Sequence, residues 1–317
     1  MRVAIVGAGA IGGWIAARLA IAGKDVRVLA RGATLELVRA EGLRLEEAGE
    51  EFVANVAGSD AAADLGPQDL VIIAVKAPAL PGLASELGPL IGPETIVMPV
   101  LNGVPWWFVE GESLQSVDPT GSIAAALPFD QVIGCVVHAS CSRSAPNRIV
   151  VKHADKLIIG EPGGEDSERL ARLQALLDGA GLKPDPTGNV RRAIWYKLWG
   201  NATINPLSAL TRATCDKILA DPECRAWMLE GMAELAEIGA AIGCPISESG
   251  EDRMKVTARL GSFKTSMLQD IEAGRPVELE ALVGAPREIA GRHGIATPAL
   301  DRLYHVTKLM AESLGLA

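Results

Sequence analysis

The sequence predicts an α/β chain whose first part is a doubly wound parallel sheet and whose second part is all helical. Three observations carry this. Short apolar runs alternate with helical stretches before residue 120, strand signals nearly vanish after residue 188, and a turn-rich segment, Lys183-Pro184-Asp185-Pro186-Thr187-Gly188, lies between. Strands alternating with helices indicate βαβ units, and proline-rich polar stretches read as linkers. The predicted domains are therefore 1–186 and 187–317.

The elements follow in order. Residues 3–6 are apolar and end at Gly7, the pattern of a buried parallel strand. Residues 11–22 are helical, with Ile11, Ile15 and Leu19 along one side and Gly23 as the C-terminal cap. Residues 26–30, 70–75 and 95–101 read as further strands. After residue 120 the rhythm changes: 132–139, 148–152 and 156–160 read as short strands joined by polar turns, an antiparallel extension of the sheet. Residues 167–178 are helical. Asp221-Pro222 places a capping carboxylate before a proline at the first helical position, opening a helix that runs to Gly243. Thr297-Pro298 repeats the device for the last helix. Trp227, Met228 and Met232 suit either a homodimer contact or the core.

Composition excludes several classes. A formal charge of −9 repels phosphate backbones, so nucleic acid is not an expected partner. The odd count of five cysteines, none in a CxxC pair, argues against a disulfide framework and for a reducing compartment. The four histidines show no HxxxH or HExxH spacing, so no metal site is expected. No leader-like segment opens the sequence, and no apolar run is long enough to span a bilayer. The expectation is a cytoplasmic protein.

The first chemical motif is Gly7-Ala8-Gly9-Ala10-Ile11-Gly12, a GxGxxG between the first strand and the first helix. Its glycines permit a tight turn, close approach of a pyrophosphate and close helix–strand packing, the Rossmann arrangement. The helix N-terminus adds unpaired N–H groups and a positive dipole end. The second strand ends in Leu29-Ala30-Arg31-Gly32, with no acid for a ribose 2′-hydroxyl but an arginine able to chelate a 2′-phosphate. NADP is thus the expected cofactor. Lys76 and Asn102 follow two other strands, at the carboxyl ends where open α/β sheets bind ligands.

The second motif lies at 191–206, where Lys197, Asn201 and Asn205 recur every four residues and so share one helix face. Trp195, Leu198, Trp199 and Ile204 in the same stretch mark the helix as buried, and buried polar groups need partners. A lysine whose pKa burial draws toward working pH can donate a proton to a developing alkoxide, the complement of hydride delivery from a nicotinamide. A third cluster runs from Thr265 to Ile271, followed by Gly274-Arg275-Pro276-Val277-Glu278, read as helix, turn and a second helix beginning near Pro276. Glu278 would then stand in a first turn, where a carboxylate suits the dipole.

These motifs, in this order, resemble the ketopantoate reductase (2-dehydropantoate 2-reductase) family. The matching residues are Gly7, Gly9 and Gly12, Arg31, Val75-Lys76-Ala77, Asn102-Gly103, Lys197 with Asn201 and Asn205-Pro206, Ser266-Met267-Leu268-Gln269-Asp270 and Glu278. The resemblance implies NADPH-dependent reduction of a 2-keto acid to a 2-hydroxy acid, with ketopantoate as the first choice of substrate. It implies candidate catalytic residues Lys197, as proton donor, and Glu278. It implies cofactor contacts from the glycine turn, Arg31, Lys76, Asn102, Ser140 and Glu278, and substrate contacts from Asn102, Lys197, Asn201, Asn205 and Ser266. Two departures concern the substrate: 211–215 lacks a further asparagine that the family can carry, and Trp106-Trp107-Phe108 is unusually bulky. A paralogue for a bulkier keto acid and a non-catalytic NADP sensor are the competing readings; a sensor has no need of Lys197 and Glu278.

Overall fold

The computed structural model describes residues 1–111, 113–259 and 261–316. Two compact units form, Met1–Leu101 with Thr120–Val190, and Asn102–Pro119 with Arg191–Ala317. The chain therefore passes between units near 101 and 119 as well as near 190, where the sequence suggested one division after 186.

In the first unit β1 (Arg2–Val6) leads through the glycine turn into α1 (Ala10–Ile21), then β2 (Asp25–Leu29) and α2 (Gly32–Glu41). A hairpin follows, β3 (Leu43–Glu47) and β4 (Glu50–Ala54), then β5 (Ala57–Ser59), α3 (Ala62–Leu65), β6 (Leu70–Ile73), α4 (Leu80–Ala84) and β7 (Ile96–Pro99). Among the described residues the parallel sheet has the order β5-β2-β1-β6-β7. From β1 the chain builds outward to β2 on one side and later to β6 on the other. The carboxyl end of β1 is thus the topological switch point, and the glycine turn sits on it.

The remainder of this unit is α5 (Ser122–Ala126), β8 (Gly134–Ala145), β9 (Arg148–Gly160), α6 (Glu168–Asp178) and β10 (Pro184–Pro186). Three expectations are corrected here. The stretches 148–152 and 156–160 are one strand, because the polar residues between them continue a ladder with β8 that absorbs irregularities at His138/Ala139 and Ser140/Cys141. Most of their length forms a second sheet, β10-β9-β3-β4 with β8 on β9, joined to the parallel sheet where Val132 bridges Val97 in parallel and Ile133 N–H donates to Val97 O. The expected linker at 183–188 is an edge strand: Leu157 N–H donates to Lys183 O and Thr187 N–H to Ile159 O, bonds that leave the two prolines where no N–H is needed.

Helix α1 lies between the sheets, touching β2 and also β3, β4, β8 and β9. That explains why it is apolar all round rather than on one stripe. Trp14, Ile15, Ala16, Ala17 and Leu19 are buried, and a Cβ on Gly13 would stand 2.7 Å from Ile149 Cδ1. Each large side chain so buried contributes about 1.5–3 kcal/mol.

The second unit holds α7 (Val190–Thr211), α8 (Cys215–Ala220), α9 (Pro222–Ala241), α10 (Gly250–Ala258), α11 (Ser266–Glu272), α12 (Ala285–Arg292) and α13 (Pro298–Ser313). Side chains of Asp221, Ser249 and Thr265 cap their helices by accepting backbone N–H bonds. The indoles of Trp195 and Trp199 donate to carbonyls of α9, Leu235 O at 3.0 Å and Met232 O at 2.7 Å, so their bulk is buried without orphaned donors. Met228 and Met232 are core residues, while Trp227 is half-buried and donates to Ala299 O. Among the described residues no helix is long and apolar enough to cross a membrane.

Candidate active site

In the first unit the glycine turn is shaped by close approach. Gly7 has φ +96°, and a Cβ there would stand 2.8 Å from Val75 Cγ1. A Cβ on Gly12 would stand 2.0 Å from Gly7 O and 2.8 Å from Ala74 Cβ. Both glycines are therefore demanded by packing of turn, helix and β6. Gly9 differs: a Cβ there would meet nothing within 4 Å, so its outer side is open. Gly13 N–H donates to Gly9 O, leaving Ala10, Ile11 and Gly12 as the first-turn N–H groups that no helix can pair internally. An open face beneath free N–H groups at a helix N-terminus fits a dinucleotide pyrophosphate; Ala8 is buried beside it.

Arg31 is the residue that precedes α2, just beyond β2. Its side chain is 63% exposed and pairs with Glu86, itself 53% exposed. An exposed pair of this kind is worth about 0–1 kcal/mol, so the guanidinium can turn to another anion at little cost. Lys76 lies three residues beyond β6, next to the Val75 that packs under Gly7. Ser140 lies in β8 opposite His153, half-buried, on a strand against which α1 packs.

The second unit brings together Lys197, Asn102 and Glu278, residues far apart in sequence. Lys197 Nζ donates to Asn102 Oδ1 at 3.1 Å. Asn102 Nδ2 donates to Glu278 Oε2 at 3.4 Å, a long bond. The amide has one chemically sensible orientation, because an ammonium offers only donors and an ionised carboxylate only acceptors. Glu278 is 4% exposed. The helix expected from Pro276 starts later, at Leu279, and Leu282 N–H donates to Glu278 O. Glu278 thus stands at the capping position rather than within the first turn, and its side chain reaches Asn102.

Along α7, Lys197 and Asn201 are half-buried and Asn205 is 4% exposed, as a polar stripe on an apolar helix requires. Pro206 follows Asn205 inside the helix and withholds an N–H from Ala202 O. Ser266 opens α11, directly after the capping Thr265. Asp270 of the same motif is 2% exposed and pairs with Arg275 at 3.1 Å, closing the turn after α11. One residue escaped the sequence reading: Arg253 of α10 lies over the Tyr196 ring at 5.4 Å and against Gly200, between Lys197 and Asn201 in the chain. Burial pulls its pKa down. A glycine on an otherwise bulky helix was the available signal.

The family model described as Ketopantoate reductase PanE/ApbA matches residues 3–164, and its C-terminal counterpart matches 189–311. The chain belongs to the ketopantoate reductase family. A 2-dehydropantoate 2-reductase of Mesorhizobium japonicum is 41% identical over 99% of both chains. The crystal structure of a protein from Ralstonia solanacearum MolK2, put forward as a ketopantoate reductase, is 51% identical with a TM-score of 0.96, covering 100% of this chain and 99% of that one. That of 2-dehydropantoate 2-reductase from Methylococcus capsulatus is 29% identical with a TM-score of 0.86 over 100% and 99%. Like other ketopantoate reductases the chain is an oxidoreductase acting on a CH–OH group, and its cofactor is a nicotinamide.

Both departures from the ketopantoate reductase pattern have local explanations. Trp106, Trp107 and Phe108 are 5%, 2% and 0% exposed, and Phe108 stacks on Trp195 at 5.8 Å. They are buried in the core of the helical unit. At 211–215 Thr211 Oγ1 donates to Leu207 O, and Ala213 O accepts from Ser208 Oγ–H.

Proposed function

We propose that this protein reduces 2-dehydropantoate to pantoate with NADPH, in the cytoplasm. The observation that carries the reading is the Asn102 amide held between the Lys197 ammonium and the Glu278 carboxylate. NADPH, when bound, supplies the hydride that reaches the carbonyl carbon of the keto acid. The glycine turn takes its pyrophosphate, Arg31 its 2′-phosphate, and Lys76 and Ser140 its remaining polar groups. As negative charge grows on the former carbonyl oxygen, Lys197 Nζ gives it a proton, completing the 2-hydroxy acid; solvent then reprotonates the amine. Asn102 Oδ1 fixes where that proton points, and Glu278 fixes Asn102. Asn201, Asn205 and Ser266 hold the substrate's hydroxyl and carboxylate oxygens.

The test is a panel of 2-keto acids, 2-dehydropantoate included, with NADPH oxidation as the readout. The reading expects 2-dehydropantoate to have the highest kcat/KM. Turnover of another keto acid at a higher kcat/KM would replace the substrate, and no oxidation with any would remove the reductase reading.

A further inference from the structure

The helix after Glu278 is wound irregularly where the active-site loop meets it. Residues Glu280–Gly284 form a π turn, in which Ala285 N–H donates to Glu280 O, five residues back. In a regular α-helix that N–H would serve Ala281 O. In the π register the donor for Ala281 O would be residue 286, which is Pro286 and has no N–H. Both intrahelical donors are thus withdrawn from one carbonyl. Ala281 O accepts instead from Val104 N–H at 2.8 Å. Gly103, one residue earlier, has φ +81°, and a Cβ on it would stand 2.5 Å from that same oxygen. Asn102 comes next, bonded to Lys197 and Glu278.

We infer that Pro286 is a positioning residue for the reduction: by withholding an N–H it reserves the Ala281 carbonyl for Val104 and so sets the backbone that carries the Asn102 amide. The same short stretch then supplies the Glu278 carboxylate that orients the amide and the carbonyl that anchors its chain. π turns inside helices recur at functional sites, and here the cause is identifiable. The inference rests on the function proposed above.

Pro286→Ala restores an N–H that competes for Ala281 O. The experiment compares wild type, P286A, N102A and the double variant in steady-state reduction of the keto acid, with thermal melts alongside. Loss of one well-placed hydrogen bond to the loop is expected to lower kcat in P286A about tenfold. In the N102A background P286A should change kcat little, because the effect runs through Asn102. Multiplying losses, or a lowered Tm with unchanged kcat, would overturn the inference. A second measurement covers a variant that fails to fold: amide hydrogen exchange at Val104 in the wild-type protein. Protection is expected, and exchange at the rate of an open loop amide would overturn the clamp. Absence of any keto-acid turnover by wild type would sink the proposed function instead, leaving the exchange result to stand alone.

Discussion

Replacing Asn102 by alanine removes the amide that joins the two ionisable groups of the active site. The amide makes a 3.1 Å bond with Lys197 and a 3.4 Å bond with Glu278. Hydrogen bonds to charged groups contribute about 1.5–3 kcal/mol, and the longer one belongs at or below the low end. A combined loss of about 2–4 kcal/mol, expressed in the transition state, corresponds to roughly a 30- to 1,000-fold fall in kcat. The assay is steady-state NADPH oxidation at saturating keto acid, with a urea melt to separate folding from catalysis. Asn102→Asp sharpens the test. It keeps an acceptor for Lys197 but sets a second carboxylate beside the buried Glu278, where like charges repel. Its activity should also fall, and its stability should fall further than that of N102A. An N102A enzyme within about threefold of wild-type kcat would show that the amide does not organise the site, since about 0.7 kcal/mol is less than one such bond.

Two further outcomes are expected. Arg31→Ala should weaken NADPH binding about 10- to 100-fold while leaving NADH nearly unchanged, because a charge-assisted bidentate contact is lost only with the 2′-phosphate; equal affinity of the wild-type protein for both nucleotides in a titration would exclude the role. Glu288 of α12 accepts from Gln115 N–H, Ser116 N–H and Ser116 Oγ–H, tying down the 102–119 segment. Burial pushes its carboxyl pKa up, but these bonds together with Arg292 outweigh that and hold it below the ordinary value. A depressed native pKa contributes stability above the ordinary carboxylate pKa and loses it as pH falls through the native one. Glu288→Gln should therefore be less stable than wild type at neutral pH by about 1–3 kcal/mol, with the gap closing as pH falls through the lowered carboxyl's titration; a pH-independent gap in denaturant melts would contradict this.

Much of the first unit was legible because its signals are local. The glycine motif, the apolar β1 and β6 runs and the all-round apolar α1 each announce themselves within a dozen residues. The second sheet was less legible, since β3 and β9 pair across about a hundred residues and no local pattern encodes that partnership. The β3–β4 hairpin did leave a trace: Leu43 and Leu45 alternate with charged residues before Ala48 and Gly49, whose φ of 53° and 83° make the turn. In the helical unit the Lys197, Asn201 and Asn205 stripe was readable because one helix carries all three. The meeting of Asn102 with Glu278 was not, because 176 residues separate them. The π turn after Glu278 was equally hidden, because the carbonyl it leaves over, Ala281 O, accepts from Val104 N–H, a tertiary contact that no local pattern encodes.

If Lys197 gives the proton that completes carbonyl reduction, its removal must slow turnover without loosening the nucleotide. Lys197→Ala is assayed for kcat with saturating NADPH and 2-dehydropantoate, after titration shows that the variant still binds NADPH. The expected result is a fall in kcat of roughly 10²- to 10⁴-fold, the usual contribution of a positioned general acid, with NADPH affinity changed only a few-fold. A variant that kept wild-type kcat would contradict it.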